Sequence, residues 1–222
     1  MLTLAIDTST KICSVALYDD ILGIIGETNI YVKKNHSNIL MKLIDELFKN
    51  TFLDIKNIDR IAVSKGPGSF TGVRIALAVA KGFAISLKKP LYAINELDIL
   101  EATVNKTNFK IIPLIDARKE RVYFKKNNEY GSEELKNILS ECETENEKFL
   151  FVGDGAVNYQ KIIKEILGDR AEISEKFNSI SRAGVLAELS LKANEENIYT
   201  LEPEYISKSQ AEREKEEKEG KI

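Results

Sequence analysis

Three short stretches of this chain carry residue types suited to holding phosphate or a metal ion. Asp7-Thr8-Ser9-Thr10 places a carboxylate and three hydroxyls in one turn. Ser64-Lys65-Gly66-Pro67-Gly68-Ser69-Phe70-Thr71-Gly72 follows the apolar run Ile61-Ala62-Val63 and leads into a long apolar segment, the order strand, glycine turn, helix. Gly153-Asp154-Gly155 again sits between a strand-like and a helix-like stretch.

Each has a chemical and a plain reading. A phosphate loop of the GxxxxGK[ST] kind needs its lysine after the last glycine, to reach the terminal phosphates. Here Lys65 precedes the loop, and Val73-Arg74 follows Gly72. That reading fails. What remains is geometry: Gly66 and Gly68 permit backbone angles closed to other residues, Pro67 stiffens the turn, and Ser69 or Thr71 can cap the next helix. The free N–H groups of that helix can take an anion, or the turn serves only to aim the helix. Asp7 and Ser9 can form a magnesium- and phosphate-contacting turn, and Gly153 and Gly155 a nucleotide-side turn, yet both are also ordinary turn chemistry.

Other chemistries are excluded by count. His36 is the one histidine, and Leu40 stands where a helical pair would need its second ligand. A metal site on paired histidines cannot exist within the chain. Cys13 and Cys142 form no cluster and read as buried, reduced thiols. No Ser/His/acid set stands at a recognisable spacing, so a peptidase finds no support. Net charge is −3, from 32 basic and 35 acidic residues, so nothing draws the whole chain to nucleic acid. If RNA is involved, a partner supplies most of the attraction. The start MLTLAIDTST lacks a basic leader and has Asp7, against a signal peptide, and the apolar runs read as too short for a membrane span. The expected location is cytoplasmic, with no membrane.

The elements that must position these residues follow from periodicity. Residues 2–6, 12–18 and 21–32 read as three strands joined by tight turns, a meander. Residues 36–50 have apolar positions at 39, 40, 43, 44, 47 and 48, a helical spacing, with Ser37 or Asn35 as its cap. A strand at 60–64, a helix at 70–87, a strand at 90–94 and a capped helix from 95 follow. Residues 110–126 then repeat the opening: an apolar run ends in Asp116, as the first ends in Asp7, and a turn and strand come next. This suggests two lobes, each opened by a β-turn-β unit whose turn carries an aspartate. Strand, turn and helix follow over 147–167, and another helix over 181–194. The expected division is 1–104, 105–206 and a charged tail, 207–222.

The 70–87 helix is apolar nearly all round, interrupted by Thr71, Arg74, Lys81 and Ser86. Gly72, Ala76, Ala80 and Ala84 form an i, i+4 row of small residues that admits a second helix closely. Such a helix is expected to be covered on most sides, by its own sheet and by a partner.

Taken in order, LAIDTST, SVAL, HSNIL, GPGSFTGVRIALAVAKGFA, LIDARKERVY and FVGDGA resemble the TsaB (YeaZ) family of the actin/Hsp70/sugar-kinase superfamily, from residue 2 to about 160 and loosely through PEYISKSQAE. GPGSFTGxR is the specific piece. Ser64-Lys65 depart from the glycine or arginine more usual there. The resemblance implies an α/β, two-lobed actin-like fold, each lobe a mixed sheet opened by a β-meander with flanking helices. It implies a noncatalytic subunit, without a cofactor of its own, that stabilises or activates a TsaD-like catalytic subunit. That complex, with a TsaE-like ATPase that uses ATP, transfers a threonylcarbamoyl group to N6 of the adenosine 3′ of the tRNA anticodon (t6A), tRNA being met only through the complex. HSNIL keeps one histidine where TsaD carries a metal-binding pair. The implied partner interface lies on the two N-lobe helices, at Leu40, Leu43, Ile44, Leu47, Gly72, Ile75, Ala76, Val79, Ala80 and Phe83, and a homodimer is the alternative occupant when the chain is alone. The alternative function is an ATP-dependent phosphotransferase or ATPase of the same superfamily, using Asp7 and the Gly153–Gly155 turn.

Overall fold

A computed structural model of the 222-residue chain describes residues 1–32, 36–104 and 108–206. The proposed cap Asn35 and the tail 207–222 lie outside the described residues.

The first sheet is built from β1 (Leu2–Asp7), β2 (Ile12–Asp19), β3 (Gly23–Tyr31), β4 (Arg60–Ser64) and β5 (Leu91–Ile94), in the order β3-β2-β1-β4-β5. The meander pairs antiparallel, while β1, β4 and β5 are parallel. The crossovers are α1 (His36–Thr51) and α2 (Phe70–Leu87), with α3 (Glu96–Ala102) closing the unit. Parallel strands need such crossovers because their ends point the same way. β1 and β4 are continuous buried runs, as strands covered on both faces must be.

The second sheet repeats this order. β6 (Lys110–Asp116), β7 (Arg121–Lys126) and β8 (Glu129–Glu134) form the meander. α4 (Leu135–Thr144), β9 (Phe149–Val152), the helices α5 (Asp154–Asn158) and α6 (Gln160–Leu167), β10 (Ala171–Ile173) and α7 (Ala183–Ser190) follow. The strand order β8-β7-β6-β9-β10 is that of the first sheet. The duplication suggested by Asp7 and Asp116 is therefore present in the topology. β8, β10 and α4 were not foreseen. β8 reads EYGSEE and exposes four of its six residues, so it lacks apolar alternation. β10 has only three residues.

The closing helices depart from the expected division. Leu97 and Leu100 of α3 pack with Ile115 of the second sheet. Ala183, Leu186 and Ala187 of α7 pack with Ala5, Ala16 and Ala62 of the first. Leu201 also belongs to the first sheet's core. Residues 183–201 thus serve the first lobe, although sequence order places them in the second. An apolar stripe specifies that a helix is covered, not by which sheet.

α2 is, among the described residues, the helix long and apolar enough to cross a membrane, contrary to the reading that no apolar run has the length. Here it lies on the first sheet with Gly72, Val73, Ala76, Leu77, Ala80 and Ala84 buried. The small-residue row therefore turns inward, toward β4 and β1, and not toward a partner. The reason is close approach. A Cβ on Gly72 would stand 2.0 Å from the Thr8 carbonyl oxygen, so this face alone lets the helix settle on the Asp7 turn.

Candidate functional site: a sealed acidic centre and an open helical face

The glycine loop is built against the Asp7 turn. Ser69 caps α2 by accepting from the Gly72 N–H at 3.3 Å. The Ser69 N–H donates to the Ser9 carbonyl at 2.6 Å, and the Thr8 hydroxyl to the Gly72 carbonyl at 2.6 Å. A Cβ at Gly68 would meet the Ser9 carbonyl oxygen at 2.2 Å. The loop's glycines are thus used up by contact with its own chain.

Beneath it, Asp7 and Ser9 are sealed from solvent along with Ser64 and Glu96. Asp7 Oδ1 accepts from the Ser9 N–H at 2.8 Å. Ser9 Oγ donates to Ser64 Oγ at 2.8 Å, and Ser64 Oγ to Glu96 Oε2 at 2.7 Å. Asp7 Oδ2, Glu96 Oε1 and Ser181 Oγ are buried with no hydrogen-bond partner among the described residues. The Ser181 hydroxyl lies close enough to both carboxyls to favour their charged forms, without hydrogen-bond geometry to either. Burial raises the pKa of Asp7, opposed by the hydrogen bonds to Ser9. Burial also holds Glu96 well above the usual carboxylate range, and the neighbouring Asp7 charge pushes the same way. Desolvation with like charge is the arrangement that favours keeping a proton. His36, half-buried at the start of α1, is pushed below its ordinary pKa by burial, with Asp7 pulling the other way.

Across the cleft, Asp154 Oδ1 accepts from the Asp116 N–H at 3.0 Å, and burial raises the pKa of Asp154. Asp116 accepts from Asn158 Nδ2 at 2.9 Å and from the Tyr159 hydroxyl at 2.8 Å. Gly153 has φ +105°, and a Cβ there would meet the Leu114 carbonyl oxygen at 2.3 Å. Gly153 and Gly155 therefore seat α5 against β6. Between the halves lies a cavity of about 200 Å³, lined by Thr10, Lys11, Tyr31, Asp154, Asn158 and Ser181 among others. It includes neither Asp7 nor Ser9, so the four residues proposed for a nucleotide do not converge on one open site. Glu96, Ser64 and Ser181 were missed. Asn95-Glu96 reads as a helix start, and Asn95 does cap α3, which gave no hint that the Glu96 side chain turns inward.

The other candidate is the outward face of α1 and α2. Leu40, Leu43, Ile44 and Leu47 are buried in the chain's own core, as are Gly72, Ala76 and Ala80. Ile75, Val79 and Phe83 are half-buried, on the side that also exposes Thr71, Arg74, Ala78, Gly82 and Ser86. Ala78, Gly82 and Ser86 thus form a second small-residue row, and a Cβ on Gly82 would meet nothing. Beside it, a groove of about 560 Å³ is lined by Met41, Ile44, Phe48, Phe52, Leu53 and Phe83 with Asp45, Asp54 and Ile55. Phe52 stands 95% exposed at its edge.

A β-meander, helix, strand, helix, strand, helix unit occurring twice, with an aspartate ending the first strand of each, defines a two-lobed protein of the actin-like class. The sequence model of the family described as TsaD, tRNA N6-adenosine threonylcarbamoyltransferase, matches residues 23–215. The tRNA threonylcarbamoyladenosine biosynthesis protein TsaB of Bacillus subtilis is 30% identical over 228 residues, covering 96% of each chain. Two solved structures share the fold. One, titled as an uncharacterized protein with similarity to peptidase YeaZ from Pseudomonas aeruginosa, has a TM-score of 0.74 at 24% identity, over 93% of this chain and 99% of that one. The other, YeaZ from Pseudomonas aeruginosa, has a TM-score of 0.68 at 23% identity, over 92% and 99%. The chain belongs to the TsaB (YeaZ) family, within the larger group that includes TsaD.

Proposed function

We propose that this chain acts in tRNA threonylcarbamoyladenosine biosynthesis as a noncatalytic, cytoplasmic subunit that docks a TsaD-like catalytic subunit and holds it in its active form. Family membership supports the pathway. The single observation that carries the docking role is the outward face of α2. A helix seated on its own sheet needs one apolar face, and this one has a second, built from Ile75, Ala78, Val79, Gly82 and Phe83 beside the groove at Phe52. A helix of the catalytic subunit can lie along Ala78-Gly82-Ser86 at close range and cover the half-buried residues flanking it. A second copy of the chain fits the same face, so a homodimer and the complex compete for it. A TsaE-like ATPase joins the assembled complex and uses the ATP, and tRNA is met by the complex rather than by this acidic chain.

The phosphotransferase reading is less well supported. Asp7 has no solvent access, and the 200 Å³ cleft is smaller than the several hundred Å³ a drug-sized ligand occupies. The test is reconstitution: t6A formation by the TsaD-like and TsaE-like proteins with and without this chain, wild type or Ala78→Arg. Dependence on the chain, lost in Ala78→Arg with the fold intact, is the expected result. Undiminished activity with the variant sinks the reading.

A further inference from the structure

The first turn of α2 carries a contact set that the small-residue row does not use. The Arg74 guanidinium lies over the Phe70 ring at 3.7 Å, and its Nε–H donates to the Tyr205 hydroxyl at 2.6 Å. Phe70 and Tyr205 stack on one another, with ring centroids 5.2 Å apart and planes 27° apart. All three are exposed, Phe70 at 42% and Tyr205 at 46%. An exposed arginine ordinarily keeps several rotamers. Here its plane is fixed by the ring and its inner nitrogen is satisfied, while the two terminal nitrogens take no partner among the described residues.

Tyr205 is itself held by a strap that runs beside α2 from Lys81 back to its first turn. Lys81 Nζ donates to the Leu201 carbonyl at 2.5 Å, and the Glu204 N–H to the Lys65 carbonyl at 2.8 Å. Lys65 pairs with the Glu204 carboxylate at 3.4 Å. Leu201 is buried in the first core, and Ile206 packs on Leu97, Leu100 and Ile115. Both ends of 201–206 are thus anchored, and of the two exposed residues between them, Glu202 and Tyr205, it is Tyr205 that orients Arg74.

We propose that this arrangement presents Arg74 as a preorganised fork for one carboxylate of the docking protein subunit. The proposal rests on the reading that the outward face of α2 docks that subunit. Arg74 shares that face with Ala78 and Gly82, one and two helical turns on. The bidentate geometry of a guanidinium matches a carboxylate, and fixing it beforehand removes ordering cost on binding. A nucleic-acid phosphate would be taken by the same fork, but a polyanion is held by many cations together. The two lysines that hold the same strap are engaged within the chain, Lys65 with Glu204 and Lys81 with Leu201, and the net charge is −3.

The test is the dissociation constant between the purified chain and the TsaD-like subunit of the same organism, by calorimetry, with circular dichroism melting for each variant. Arg74→Lys keeps the charge and loses the fork, and weakens binding at least about tenfold. Tyr205→Phe removes the bond that holds the inner nitrogen of the guanidinium and weakens binding a few-fold. Ala78→Arg abolishes binding by blocking the face. Wild-type affinity in Arg74→Lys beside a dead Ala78→Arg overturns the fork and leaves the docking face standing. Wild-type affinity in both removes the docking face and the fork with it. If Arg74→Lys spares subunit affinity but weakens tRNA binding by the assembled complex, the ligand is phosphate and the carboxylate assignment is wrong.

Discussion

Two alanines on α2, two residues apart, are predicted to respond oppositely to the same substitution. Ala76 has no accessible surface and lies on the face seated against the first sheet. Arg at that position must either bury an unpaired guanidinium or lift the helix. An uncompensated buried charge costs about 3–5 kcal/mol, and the overpacking a further 1–3. Domains of this kind are stable by roughly 5–15 kcal/mol, and each kcal/mol shifts the midpoint by about 2–4 °C at this length. Ala76→Arg should therefore lower Tm by about 10 °C or more, or give an unfolded first lobe. Ala78 is exposed, and an arginine there stays in water. Its cost in the free chain should be within about 0.5 kcal/mol. In the docked state the same side chain props two helices apart and is stripped of water. A penalty of several kcal/mol lowers affinity by more than about a hundredfold. Circular dichroism melting reads the first effect and co-purification with the TsaD-like subunit the second. An Ala76→Arg protein that melts with wild type would refute the inward assignment of the small-residue row. A folded Ala78→Arg chain that still co-purifies would refute the outward face as the interface.

The sealed acids give a pH dependence of defined sign. Asp7 and Glu96 have raised folded-state pKa values, so their favourable contribution is complete below the unfolded carboxylate range, near pH 4, and is lost as pH rises through the raised values. Glu96→Gln keeps an acceptor for Ser64 and cannot ionise, so its melting temperature should decline less steeply than that of wild type as pH rises above the ordinary carboxylate range; a steeper decline contradicts the assignment. Gly72→Ala places a methyl 2.0 Å from the Thr8 carbonyl oxygen, a contact no rotamer relieves, and should shift the urea midpoint down by the equivalent of a few kcal/mol without changing the slope. The isolated chain should neither turn over ATP nor hold tRNA tightly, and submicromolar tRNA affinity at physiological salt would count against that.

Much of the architecture could be read from two periods and two aspartates. Strands alternate or run apolar, helices repeat every three to four residues, and Asp7 and Asp116 mark equivalent points of a duplicated unit. What escaped is what depends on partners distant in sequence. Glu96 sits at a helix start where an acid is ordinary, and only the fold brings it beside Asp7 across the top of β4. α7 is an apolar helix after the second sheet, and only the fold sends it to the first.

The orientation of α2 is the instructive miss, because the information was present. The helix has two small-residue rows, Gly72-Ala76-Ala80-Ala84 and Ala78-Gly82-Ser86, and each admits a close neighbour. Pattern alone cannot say which row meets the sheet. Two residues break the tie. Arg74 is long and charged, and a helix turns such a side chain to water, which places Ala78 and Gly82 outside with it. Val73 and Leu77 are large and apolar and adjoin the other row, which places Ala76 and Ala80 inside with them. Gly72 settles the matter sterically, since only a residue without Cβ passes Thr8. The same charge that marks the outer face also stands ready on it. Arg74 is therefore both the sign by which the outward surface is recognised and the side chain best placed to fix the direction in which a partner helix lies along it.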